Sequence, residues 1–250
     1  MNASAVVIAR DSAKFILPCL ESLKNLSDDL LVVVDSRSVD NTADLAKNAG
    51  ARVMIRVFDS FSGQKNYADS QAKYGWILSL DADETASPGL IKAIRDLPEH
   101  QLFQAYSIPR KNKIFGKYIE HSNWDPNGLV RFFNREYCQW EGVVHEQIVT
   151  DKTVGRFYDC IYHENYATVN EFMAKQDIYS TLEADRLYAA GIPFSWGQFI
   201  AQPLLDFTRR YILHAGFLDG FHGLFLSYLM AVYHLSVWVK LWQKSQKASS

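Results

Sequence analysis

Cysteine is scarce in this chain: its three copies, Cys19, Cys138 and Cys160, are odd in number, far apart and without C-x-x-C spacing. That excludes a disulfide framework and a zinc knuckle, and it fits a reducing compartment. Neither sign of charge is in excess. The 26 Lys and Arg stand against 28 Asp and Glu, a net of -2, so nothing draws nucleic acid in general. A secretory signal is also lacking, because the apolar run from Ala3 to Ala9 is short, with no basic region before it and no cleavage site after it. What the chain does have is apolar material. With 48% hydrophobic residues over 250 residues, it can build one large α/β domain, or one such domain with a helical extension.

The stretch that organises the rest is Trp76-Ile77-Leu78-Ser79-Leu80-Asp81-Ala82-Asp83-Glu84, a short apolar run that ends in three carboxylates. It reads as a buried strand. Side chains alternate along a strand, so Asp81 and Asp83 are expected to leave its C-terminal end pointing the same way. Hard oxygen ligands with open positions beside them suit Mg²⁺ or Mn²⁺. A plain strand end before a helix cap is the competing reading, since Ser87 can cap a helix whose first position is Pro88.

Similar strand and helix pairs surround it. Ala3 to Ala9 predicts a strand, followed by Arg10-Asp11-Ser12 and a helix with Phe15, Ile16, Leu20 and Leu23 at helical spacing. Leu30 to Val34 predicts a second strand, which ends in Asp35 before a helix from about Ala43 to Asn48, and Ala51 to Val57 predicts a third. This alternation implies a mostly parallel sheet covered by helices. Ligands of such sheets bind at the carboxyl ends of the strands, where Asp11, Asp35 and Asp81 gather. Lys65 opens the next helix near that edge, either as a cation for phosphate or as a solvated surface lysine.

Val33-Val34-Asp35-Ser36, Ser38-Val39-Asp40-Asn41-Thr42, Gln64-Lys65-Asn66 and Ser79-Leu80-Asp81-Ala82-Asp83-Glu84, in that order and spacing, resemble the N-terminal half of a family 2 glycosyltransferase of the GT-A fold. Ile108-Pro109-Arg110-Lys111-Asn112, Leu129-Val130-Arg131-Phe132-Phe133 and Val144-His145-Glu146 are similar to a branch that includes bacterial lipopolysaccharide-core β-glucosyltransferases. The likeness covers residues 3 to 166 well and the remainder loosely. It implies a GT-A domain over 1–166, Rossmann-like and nucleotide-binding, with a helical C-terminal extension over 167–250.

It also implies roles. Ala9 and Asp35 would contact the nucleoside base, and Lys65 would lie near the base or the diphosphate. Asp81 would touch the ribose or the metal, and Asp83 and His163 would ligate Mn²⁺ or Mg²⁺. Glu146 would be the base that takes the acceptor's proton, with His145 either orienting it or serving structurally. Two positions depart from the family. Arg10-Asp11 stands where Asn-Glu is usual, so Asp11 would supply the acid there, and Arg37 replaces a frequent glycine.

Between the metal motif and Glu146, the residues Arg110, Lys111, Lys113, His121, Trp124, Asp125 and Arg131 look like the acceptor side. Trp124 and Trp140 offer flat faces to a pyranose or belong to the core, Arg110 and Lys113 can meet phosphates or solvent, and Asp125 is a reserve base. Further on, Phe221 to Val239 runs 19 residues without formal charge, close to membrane length. From Phe194 onward five Lys/Arg (Arg209, Arg210, Lys240, Lys244, Lys247) meet two acids (Asp206, Asp219), an excess of three. A basic, aromatic-rich helical region suits the anionic cytoplasmic leaflet as a monotopic anchor; a helical pair or an oligomer interface is the alternative.

The resulting expectation is an inverting, metal-dependent enzyme. It would carry a sugar such as glucose from a UDP-sugar to a lipid-linked saccharide, peripheral or monotopic at the inner face of a bacterial inner membrane. A nucleotidyltransferase that makes sugar nucleotides is a rival, but Ala9-Arg10-Asp11-Ser12 lacks that class's glycine-rich loop. A non-catalytic membrane-bound binding protein of the same fold is another, and it would be expected to lack the acids that Asp81, Asp83 and Glu146 supply.

Overall fold

A computed structural model describes residues 2–98, 102–124, 128–142 and 146–247. In chain order the elements begin β1 (Ala3–Ala9), α1 (Ile16–Leu23), β2 (Leu30–Asp35), α2 (Thr42–Asn48), β3 (Arg52–Arg56), α3 (Phe61–Ser70), β4 (Trp76–Asp81), β5 (Glu84–Ala86) and α4 (Pro88–Arg95). Then come β6 (Ala105–Ile108), β7 (Arg110–Ile114), β8 (Lys117–Ile119), β9 (Leu129–Asn134), β10 (Gln139–Glu141), β11 (Gln147–Val149), β12 (Val154–Arg156) and β13 (Ile161–Tyr166). The helices α5 (Val169–Ala189), α6 (Trp196–Thr208) and α7 (Phe221–Lys247) follow. The chain divides into two units: Met1–Lys111 with Asp125–Glu164, and Asn112–Trp124 with Asn165–Ser250. It passes from one to the other within β7 and within β13.

In the first unit a seven-stranded sheet has the order β12-β6-β9-β4-β1-β2-β3. The strands β4, β1, β2 and β3 run parallel, and β9 is antiparallel to both β4 and β6. Both faces are covered, which is why the parallel strands read as unbroken apolar runs. On one face Ala5 and Val7 of β1 and Leu78 and Leu80 of β4 pack with Ile16 and Leu20 of α1 and Leu90 and Ile94 of α4. On the other, Val6, Leu31, Val33, Ile77 and Phe133 pack with Ala68 and Ala72.

Local chemistry sets the helix starts that matter to the site. The Ser60 hydroxyl accepts from the Gly63 amide at 3.0 Å and opens α3. A Cβ at Gly63 would meet the end of the exposed Asp59 side chain at 2.5 Å, which would have to shift to make room. Ser87 caps α4 as expected, accepting from the Leu90 amide at 3.1 Å with Pro88 at the first position. One expectation is corrected here. The alternation that would have carried Asp81 and Asp83 to one side stops at Asp81, because Ala82 and Asp83 form a turn and β5 begins at Glu84 to pair with β13.

In the second unit Asn112–Ile114 of β7 pairs antiparallel with β8 through Phe115 and Gly116, whose φ angles of 52° and 82° give a two-residue hairpin turn. Ile114 and Ile119 of this hairpin pack on Phe172 of α5 and on Leu226 and Leu229 of α7. A reciprocal pair of bonds between Thr168 and Glu171 caps α5. Ala184, Trp238 and Leu241 form a second small cluster. The segment Phe221–Gln246 is long and apolar enough to cross a membrane, by length and composition alone.

Candidate active site

The end of β4 holds a closed set of charges. Lys65, on the first turns of α3, is only 1% exposed; its Nζ lies 3.0 Å from Asp81 Oδ1 and 2.7 Å from Glu146 Oε1. Arg131, in the middle of β9, donates from Nη2 to Asp81 Oδ2 at 2.7 Å and lies 3.5 Å from Glu84 Oε1. Arg110 Nη1 is 3.2 Å from the same Glu84 oxygen, and Glu84 Oε2 accepts the Asp81 amide at 3.0 Å. Three cations therefore meet three carboxylates. Charges leave water at a tolerable cost only in such balanced, hydrogen-bonded sets. Burial alone would raise the Asp81 carboxyl, but the charges of Arg131 and Lys65 outweigh it and hold the group well below the usual carboxylate range.

An indole completes this cluster. The Lys65 ammonium lies 4.4 Å and the Arg131 guanidinium 5.6 Å from the Trp140 ring centre. Trp140 is fixed at its rim, its Nε1 donating to Asp69 Oδ2 at 2.8 Å while its backbone exchanges hydrogen bonds of 2.9 and 3.0 Å with the Asn66 amide. Burial pushes the Asp69 carboxyl up to about 7, against the opposing pull of the Trp140 hydrogen bond and of Lys65.

Asp83, two residues beyond Asp81, behaves differently. Its Oδ2 lies 3.4 Å from His163 Nε2, and its carbonyl accepts the Glu164 amide at 3.0 Å. The pair offers one carboxylate and one imidazole.

The carboxyl ends of β1 and β2 carry a second polar assembly. Asp35 is gripped by Arg37, with Nη2 to Oδ2 at 2.6 Å and Nε to Oδ1 at 3.1 Å, and the Arg37 guanidinium lies 4.9 Å from the Phe58 ring centre. The Arg37 bonds hold the Asp35 carboxyl below its ordinary value. Asp11, at a positive φ of 45°, ties the loop after β1 to the loop after β2, since its Oδ1 accepts the Val39 amide at 2.8 Å. Arg10 faces both acids, at 3.5 Å from Asp11 and 3.9 Å from Asp35, and Ala9 is buried beside them at the end of β1.

The sequence-predicted residues thus fall into three groups: Lys65, Asp81 and Glu146; Asp83 with His163; and Ala9, Asp11 and Asp35. Arg110 and Arg131 were expected on the acceptor side; Arg110 pairs with the buried Glu84, and Arg131 with Glu84 and the partly exposed Asp81. Trp140 is 3% exposed and covered by Lys65, so its ring face is not open to a sugar. Trp124 belongs to the second unit, its ring 6.4 Å from that of Phe172 with the Arg210 guanidinium at 5.8 Å. His145 and Asp125 lie outside the described residues. Glu84, Asn66 and Asp69 went unnoticed as site residues. One signal was present: Arg131 interrupts the apolar run Leu129–Phe133, and an arginine buried in a strand requires an anion.

A mostly parallel sheet with acids at its carboxyl edge, followed by helices, is the GT-A arrangement of glycosyltransferases. Residues 4–163 match the family model described as "Glycosyl transferase family 2", and the chain belongs to that family. A glycosyltransferase of Rickettsia typhi is 26% identical to it, covering 98% of this chain and 88% of its own length. The lipopolysaccharide core biosynthesis glycosyltransferase LpsC of Rhizobium meliloti is 28% identical, covering 96% of this chain and 92% of LpsC. Among solved structures, S. aureus TarS 1-349 in complex with UDP-GlcNAc is similar at a TM-score of 0.49 and 13% identity, over 99% of this chain and 92% of that one. That likeness is too distant to inform donor or acceptor. The protein is a glycosyltransferase.

Proposed function

We propose that this glycosyltransferase takes a sugar such as glucose from a UDP-sugar, with inversion and with a divalent metal, and places it on a lipid-linked saccharide of the lipopolysaccharide-core class at the inner face of a bacterial inner membrane. The observation that carries the reading is Glu146, held by Lys65 at 2.7 Å beside Asp81, in the same unit as the Asp83 and His163 pair. The acceptor class is supported by the name of LpsC and by the apolar helices of the second unit.

In a direct displacement the acceptor hydroxyl oxygen bonds to the anomeric carbon as the carbon–oxygen bond to the diphosphate breaks on the opposite side. Glu146 receives the hydroxyl proton, a task for a positioned carboxylate. Lys65 fixes Glu146 from one side, and Asp81 and Trp140 fix Lys65 in turn. The ends of β1 and β2 receive the nucleoside, with Asp35 available to a base edge once Arg37 releases it. Asp83 and His163 fit a divalent cation, because one carboxylate oxygen and one imidazole nitrogen leave further positions to substrate phosphates and water. Among the described residues no group of three or more His, Cys, Asp or Glu is placed to hold a metal by itself, so this pair would need substrate oxygens to complete the shell. Mn²⁺ or Mg²⁺ bound there would neutralise the charge developing on the diphosphate.

Calorimetry with UDP, GDP, CDP and dTDP, first with Mn²⁺ and then with EDTA, tests the reading. UDP alone is expected to bind, and to lose its affinity in EDTA. Binding of a different diphosphate would replace the donor, and no binding by folded protein would remove the catalytic assignment.

A further inference from the structure

The second unit leaves an unusual set of side chains in solvent. Along α6, Trp196, Ile200 and Leu204 follow at intervals of four, one helical stripe, with Trp196 70% and Leu204 63% exposed. The same helix buries Pro203. Leu213 is 75% exposed in the connection after α6, and Phe221 is 74% exposed at the start of α7. So many large apolar side chains left in solvent within one segment point to a surface that meets something.

The charges within this stretch discriminate between occupants. From Phe194 to Tyr228 the acids are Asp206 and Asp219. Asp206 accepts from Arg210 Nε at 2.8 Å and lies 3.6 Å from His234, and Asp219 is buried, accepting the His121 amide at 2.9 Å. Arg209 is exposed beside His214, its Nε 3.2 Å from the imidazole. The segment from Phe194 to Tyr228 therefore presents exposed apolar side chains and a cation, with no exposed carboxylate. Placed against a second copy across a two-fold axis, it would bring like charge to like with no acid to pair. Lipid phosphates supply the missing anion, and tryptophan and arginine suit the boundary between headgroups and acyl chains.

Helix α7 itself is unsuited to crossing a bilayer. Near its middle His234 faces Asp206, and one turn and a half later Lys240 Nζ donates to Asp177 Oδ1 at 2.6 Å and to the Ser180 and Thr181 hydroxyls at 2.8 Å. Such groups are costly in hydrocarbon, and Leu226, Leu229, Trp238 and Leu241 are already spent on protein contacts.

We propose that α6, the connection from Arg209 to Asp219 and the first turn of α7 form a surface that lies flat on an anionic bilayer, with α7 held along the protein by Leu226, Leu229, Trp238 and Leu241 and not crossing the bilayer. This deepens the membrane placement proposed above and rests on it. It would bring a lipid-linked acceptor to the enzyme without a spanning segment.

Flotation of the full chain with vesicles of phosphatidylcholine alone, and of phosphatidylcholine mixed with phosphatidylglycerol, provides the test. The wild type is expected to float with the mixed vesicles and to be released by alkaline carbonate. The double substitution Leu213→Glu with Phe221→Glu should weaken vesicle binding on the order of tenfold or more. Its far-UV circular dichroism and UDP binding should be unchanged. Arg209→Glu should reduce the preference for anionic vesicles. Failure of the wild type to float, or carbonate-resistant insertion, would overturn the proposal. So would a stable dimer by light scattering that the double substitution dissolves, which would give the face to a second copy. UDP binding without vesicles is a separate readout, so its loss with flotation intact would count against the catalytic reading alone.

Discussion

In the first unit Val6, Val33 and Phe133 are closed between a sheet and its helices, whereas in the second Leu204, Leu213 and Phe221 stand in solvent. The covered middle of the sheet admits charges as matched sets such as Lys65, Arg131, Asp81 and Glu84, while apolar residues such as Ile55 on its edge strand and Val39 in a loop are exposed. Three helices packed side by side each bury one stripe and leave the other free. The proposed chemistry therefore falls where charges were forced together, and the proposed attachment where apolar side chains were left over.

The largest effect expected in the first unit is that of Glu146→Gln. It should lower transfer by roughly 10²- to 10⁴-fold, the range of a lost general base, while nucleotide affinity and vesicle flotation stay as in the wild type. Near-normal turnover, measured as UDP release with acceptor, would remove Glu146 from the reaction.

Arg131→Met should come next, because it leaves the buried Glu84 and the partly exposed Asp81 with too little positive charge. A loss of about 3–5 kcal/mol in denaturant unfolding is expected. A neutral result would mean that the charge set is hydrated and that the contrast between the units is weaker than drawn.

His163→Ala should reduce Mn²⁺-dependent UDP affinity at least about tenfold while the fold, by far-UV circular dichroism, stays as in the wild type. Equal affinities by calorimetry would take His163 out of the metal site.

The smallest effect concerns Asp69. Burial raises its carboxyl from the ordinary 3.8 to about 7, so between those values the folded chain keeps a proton that the unfolded chain has released. Stability should therefore fall as pH rises through that window. Asp69→Asn removes the titration, and its stability relative to the wild type should improve by about 1 kcal/mol between pH 6 and pH 8. Unfolding curves that shift in parallel for both proteins would show Asp69 to be ionised and solvated.

Much of the first unit was legible in the chain. The strands at Ala3–Ala9, Leu30–Asp35 and Trp76–Asp81 announce themselves because double-sided burial makes them apolar throughout, and the Ser87-Pro88 helix start is a local matter of capping. The roles of Arg110 and Arg131 were not legible. Their partner Glu84 lies 26 and 47 positions away in sequence, and no local spacing reports a pairing made across a sheet. Asp81 and Asp83 illustrate the same limit at short range, since a turn at Ala82 gave them different partners where strand alternation would have kept them together.

The sequence by itself determined which segments are buried, where the helices start and that acids collect at the strand ends, because burial, capping and alternation act over a few residues. Only the tertiary structure decided which acid meets which cation, that Trp140 serves Lys65, and which stripes of α6 and α7 remain uncovered. Those outcomes depend on contacts between residues far apart in the chain, and charge neutrality and packing are satisfied only once all the elements are in place.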